Sequence, residues 1–151
     1  MKALENRLKL IESFIPHAEH LNPKVSKVTI AWQLDHSLKV INSITKAMQN
    51  SDPSLYVDNF SILGKVLLKL NFFPKGKAKS PDHVKPPTII LKENIILQLQ
   101  EARDNIKQIK NLDEKSHFKH PLFGNINKAR VFSFLNAHTN HHLKIVKSIL
   151  N

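Results

Sequence analysis

The chain has 151 residues, 41% of them hydrophobic, and a formal charge of +11 from 23 basic and 12 acidic side chains. That length suits a single domain over 1–151 with a sizeable core, and three glycines leave few of the tight turns that a many-stranded sheet requires. With no cysteine, disulfides and thiolate metal sites are excluded, so any metal must be held by imidazole, carboxylate or amide.

Leu4, Leu8, Ile11 and Ile15 recur at helical spacing and predict an amphipathic helix over 2–15, ended by Pro16. Asn22-Pro23 punctuates the connection that follows. A second helix is expected from Ser26 or Thr29 to Met48, with Ile30, Leu34, Leu38, Ile41 and Met48 facing a core. Ser51-Asp52-Pro53 reads as a turn. A third helical stretch is expected between Leu55 and Phe73, carrying Phe60, Leu63, Leu67 and Leu70 on one side. The segment 74–87 differs in kind: its four prolines and Lys75, Lys77, Lys79 and Lys85 read as a basic loop, with a solvated linker as the simpler reading and, as the alternative, a segment near the bundle end offering positive potential to an anionic ligand or cofactor. A fourth helix is expected over 88–112, repeating Leu91, Ile95, Leu99, Ala102, Ile106 and Ile109. A connection through His120-Pro121 leads to the last helix, Asn127 to Leu150, capped by Asn125 or Asn127. The pattern is all-α, one bundle with long connections.

The N-terminal stretch Met1 to Leu21 is charged and periodic and lacks the apolar centre of a secretory signal. No run approaches the length of a membrane-spanning helix, so the cytoplasm is the default location. The positive charge favours anionic surfaces in general. The lysines are nonetheless spread along the chain, and one tyrosine and one tryptophan offer little for base stacking. A solvated basic face is the simpler reading, and nucleic acid is not the expected principal partner.

The last helix carries the informative residues. At 100° per residue, His142 falls about 40° from His138, and Val131, Phe134, Leu135, Ile145 and Ile149 fall within about 60° of it. Both imidazoles therefore sit in the apolar stripe, with Lys144 and Lys147 on the far side. Two rings four residues apart on one face can converge on one ion. Burying two such polar rings side by side is costly unless a partner satisfies them. The competing reading is a pair of core histidines bonded to neighbours or water, and His141, about 60° from His138, is an alternative ligand. A third ligand is needed, and His36 is the candidate. It shares an uncharged sector with Thr29, Trp32, Val40, Ser43 and Ala47, with Asp35, Lys39 and Lys46 confined to a narrow wedge elsewhere. His17, His20, His83 and His117 lack partner spacing and read as surface residues, and His120 as part of a turn that positions the last helix.

Two motifs carry a resemblance. Trp32-Gln33-Leu34-Asp35-His36 resembles the first ligand-bearing helix of the DinB-like metal-dependent superfamily. His120-Pro121-Leu122-Phe123-Gly124, followed by His138-Thr139-Asn140-His141-His142-Leu143, resembles its second signature, in the branch where HPxFG leads into HxxHHL. The similarity spans most of 25–150. It implies a four-helix bundle, here with an additional N-terminal helix, in which His36, His138 and His142 bind one divalent ion, zinc or nickel. The chain departs from the common pattern after the second motif, where Lys144-Ile145 replaces an Arg-Gln pair.

Three histidines leave coordination positions open, as in a catalytic metal site. The resemblance implies a metal-dependent transferase or hydrolase acting on a small molecule, with a low-molecular-weight thiol as a candidate co-substrate. No glutamate stands between His138 and His142, so the zinc-protease base is missing. The alternatives are a non-catalytic metal-binding bundle and a nucleic-acid-associated one. The expected partners are a small-molecule substrate and, in a homodimer, a second copy of the chain, with no membrane partner.

Overall fold

The computed structural model describes residues 1–74 and 82–151. Among the described residues five α-helices run in chain order: α1 (Lys2–Phe14), α2 (Ile30–Gln49), α3 (Ile62–Lys69), α4 (Lys92–Gln108) and α5 (Lys128–Leu150). One antiparallel hairpin, β1 (His117–His120) with β2 (Gly124–Asn127), precedes α5. The fold is mostly helical, broadly the expected all-α class, with one small two-stranded sheet that the sequence reading did not include.

Helix boundaries follow from local chemistry. Thr29 rather than Ser26 starts α2, its hydroxyl accepting the Trp32 amide. Ser61 caps α3 through the Gly64 amide, and Asn71, at φ 49°, turns the chain away soon after its end. The expected long third helix is thereby cut to a short one. Of its predicted stripe, Phe60 is buried ahead of the helix and Leu67 packs against the core, whereas Leu63 and Leu70 are exposed. Asn127 occupies the cap position of α5 but makes no side-chain cap bond.

Helices α1, α2, α4 and α5 pack around one core, α2 against α4 and α5, and α1 against α5 and α4. Leu4, Leu8 and Ile11 of α1 are fully buried there, each contributing about 1.5–3 kcal/mol of apolar burial. The N-terminal helix is thus an integral member of the packed set rather than an addition to it, and α3, lying against α5, is the peripheral one. Thirteen side chains of α2 are buried, including Asp35, because α2 packs on several elements at once. Asp35 faces α4, where Gln98 Nε2 donates to it at 2.6 Å and Lys39 Nζ lies 2.7 Å away.

The hairpin sets the start of α5. Its three-residue loop, Pro121 to Phe123, ends on Gly124 at φ 79°, the left-handed residue that such loops require. A Cβ at Gly124 would stand 2.5 Å from the Asn59 carbonyl oxygen, so the close approach also demands glycine. Asn59 Oδ1 accepts the Asn125 amide at 2.7 Å, and the Ser61 amide donates to the Phe123 carbonyl at 2.9 Å. His120 closes the loop as expected: its Nδ1 accepts from the amides of Leu122 and Phe123, both at 3.2 Å. Burial pushes the His120 imidazole down to about 4.

Among the described residues no helix is long and apolar enough to cross a membrane. Lys75, Lys77 and Lys79 of the basic segment lie outside the described residues. Lys85 is described, and its ammonium pairs with Asp82.

Candidate metal centre

Helices α2 and α5 pack face to face, and the three expected histidines meet across that contact. Ring centroids are 4.7 Å apart for His36 and His142, 5.3 Å for His36 and His138, and 4.6 Å for His138 and His142. One nitrogen from each ring can be chosen so that all three lie within 4.8 Å of one another. Three atoms so placed fit on a circle of radius at most about 2.8 Å (4.8/√3), and zinc–nitrogen bonds run at about 2.0–2.1 Å. Inward ring movements of under about 1 Å would bring them into coordination. The three histidines therefore form a group that can hold a metal ion.

Hydrogen bonds fix two of the rings. His36 Nδ1 lies 2.8 Å from the Val84 carbonyl oxygen, and His142 Nδ1 lies 2.6 Å from Gln33 Oε1. Both partners can only accept, so each Nδ1 carries the proton and each Nε2 keeps its lone pair. Such an acceptor behind the ring is what metal-ligating histidines usually have. Gln33 is itself steadied by Ser26 Oγ, 3.4 Å from its Nε2.

His138 supplies a different observation. Its ring is half-buried, yet its Nδ1 is shielded from solvent and has no hydrogen-bond partner among the described residues. An orphaned buried nitrogen is unfavourable by about 1–3 kcal/mol. His138 also offers one of the three converging ring nitrogens, so the residues present fit a metal.

Electrostatics agrees with that fit. Burial holds the His36 imidazole below its ordinary value, even though the Val84 carbonyl and Asp35 both favour its charged form. Burial lowers His138 and His142 well below the ordinary value, and neighbouring imidazoles add to the effect. All three are neutral near pH 7, the state that binds metal.

Aromatic side chains wall the centre. Trp32 stacks on His36 at 5.1 Å between ring centroids, while Phe134 and Phe73 lie 6.1 and 6.4 Å from His138. Among the described residues no carboxylate joins the three imidazoles. Asp35, next in the chain to His36, is turned toward Gln98 and Lys39 on the α4 side. His141 stands beside the group, its ring 5.0 Å from His142, without belonging to it. His17, His20 and His83 are exposed and His117 half-buried, all away from the centre.

Reading the sequence missed Gln33 and the Val84 carbonyl. Gln33 sits three residues before His36 inside the quoted motif, and a buried glutamine on a ligand-bearing helix was the available signal. A backbone carbonyl 48 residues away from His36 leaves no signal at all. Comparison with family models, with curated proteins and with solved structures returns no match.

Proposed function

We propose that the chain is a DinB-like, metal-dependent enzyme that holds one zinc or nickel ion through His36, His138 and His142 and acts on a small molecule as a thiol-dependent transferase or a hydrolase. The observation that carries this reading is the meeting of three neutral imidazoles, two with their Nδ1–H groups pinned, with no fourth protein ligand among the described residues. A structural site would be expected to have four protein ligands. Imidazole donors suit zinc and nickel. When bound, the ion supplies a Lewis acid with an open position, which activates a thiol or water nucleophile or polarises a carbonyl.

The chain's own residues do the rest. Val84 and Gln33 hold two rings in the tautomer that presents Nε2. Trp32, Phe73 and Phe134 exclude water from the sides of the centre, which strengthens every charge interaction inside it. The HPxFG residues, His120 to Gly124, form the hairpin turn that launches α5 and so set the height at which His138 and His142 meet α2.

The test is a turnover screen of zinc- and nickel-loaded protein with low-molecular-weight thiols against electrophilic acceptors, and with activated esters alone. Turnover that disappears on chelation and in His142→Ala supports the reading. Fully metal-loaded protein inert in every combination would leave a metal-binding bundle without catalysis.

A further inference from the structure

Beside the histidines lies a cleft of about 280 Å³ between α5 and the chain that leaves α3. Its apolar wall is Val25, Phe72, Phe73 and Ile145, and its polar rim includes Asn140, His141 and Lys144. Two of these residues connect it to the metal centre. The ring of His141 meets that of His142 at 5.0 Å, and Phe73 lies 6.4 Å from the ring of His138.

We propose that this cleft is the substrate's anchoring subsite, that it takes a small organic anion with an apolar body, and that Lys144 binds the anionic end. The inference rests on the metal-dependent reading for its word substrate, while the anion site itself stands on separate observations.

The first is charge. Among the described residues the cleft is lined by no carboxylate, α5 contains none along its whole length, and Lys144 stands at the rim with no ion-pair partner. Other surface lysines are also without an ion pair, but Lys144 is the one that lines this cleft. The second is a polar group on the wall: the Asn140 carboxamide lines the cleft and makes no hydrogen bond among the described residues, so it is available to a ligand. The third is size and polarity. Pockets for drug-sized ligands begin near about 300 Å³, so a cleft of about 280 Å³ suits one small molecule. An apolar wall with few polar groups at one end selects a ligand with the same division, its body on Phe72, Phe73 and Ile145 and its charge at Lys144.

A carboxylate could also reach an anion-binding position on the metal itself, so the test separates the two. Phenylacetate and its neutral analogue phenylacetamide are titrated calorimetrically into the full chain, first freed of metal with a chelator and then loaded with zinc. The expected result is phenylacetate binding to metal-free protein, with affinity about tenfold weaker for the amide and about tenfold weaker in Lys144→Met, since a hydrogen bond to a charged partner is roughly twice as strong as a neutral one. Lys144→Arg keeps the binding. Equal affinity for acid and amide, undiminished affinity in Lys144→Met, or no binding up to about 10 mM overturns the subsite. Phenylacetate binding that needs zinc and ignores Lys144 also overturns it and leaves the metal reading intact. Failure of the protein to take up zinc, with Lys144-dependent binding preserved, supports the anion site and removes the proposed function.

Discussion

Replacing Gln33 with leucine tests whether the partner behind His142 belongs to the metal site or only to the core. Gln33 is buried, and its Oε1 accepts the His142 Nδ1–H at 2.6 Å. Leucine keeps roughly the volume and removes the acceptor, leaving a buried N–H unsatisfied at a cost of about 1–3 kcal/mol. In a domain of this size each kcal/mol lowers Tm by roughly 2–4 °C, so metal-free Gln33→Leu should melt a few degrees early. Metal affinity should fall by about 10–100-fold, the usual result of removing the group that orients a ligating histidine. That corresponds to about 1.4–2.7 kcal/mol at the ion. Gln33→Glu, which retains an acceptor, should keep most of the affinity. The assay is competition for zinc against a chromophoric chelator, with thermal melts of the metal-free forms alongside. A Gln33→Leu protein that melts early but binds zinc as tightly as the parent would refute the argument, because His142 would then need no help in presenting its Nε2.

Three further outcomes follow from the fold and the site. His120 is neutral in the folded state to about pH 4, against an ordinary value of 6.5. The unfolded chain therefore takes up the proton first, so this contribution to stability is complete above pH 6.5 and is lost as pH falls from there toward 4. Since His120 is half-buried, the loss is about 1–3 kcal/mol, and it should be absent from the denaturant-unfolding profile of His120→Asn. Gly124→Ala should destabilise by about 2–4 kcal/mol, because φ 79° and the Asn59 backbone both reject a Cβ, and urea titration measures it. Zinc binding should alter the fluorescence of Trp32, the sole tryptophan, since its ring stacks on His36; an unchanged spectrum through a complete titration would place the ion elsewhere.

How much of this was legible in the sequence differs by element. Leu4, Leu8 and Ile11 mark α1, and Ile95, Leu99, Ala102 and Ile106 mark α4, because one helical face of each is buried and the opposite face is polar. The third helix misled because Ile62, Leu63, Val66 and Leu70 are apolar without being buried, so periodicity there does not report a core. Its early end depends on Asn71 adopting a left-handed conformation, where no glycine or proline announces the stop. The hairpin escaped notice because its strands, His117–His120 and Gly124–Asn127, are too short to show alternation. The role of α1 could not be read either, since its stripe fits equally a bundle member and an appended helix, and only packing on α4 and α5 decides. The histidine site was legible in part. His138 and His142 stand out as polar rings on an apolar stripe, whereas His36 became a ligand candidate chiefly through the motif around it. Its acceptor, the Val84 carbonyl, belongs to a segment distant in sequence, and a main-chain oxygen carries no residue signature.

The most direct measurement is metal content per chain, by elemental analysis of untagged protein reconstituted with zinc and dialysed, for the parent and for His36→Ala, His138→Ala and His142→Ala. The account predicts one ion per chain in the parent and almost none in each variant, with helical circular dichroism retained, because the packed core does not depend on the ion. A parent that takes up no metal, or variants that keep it, would contradict the account.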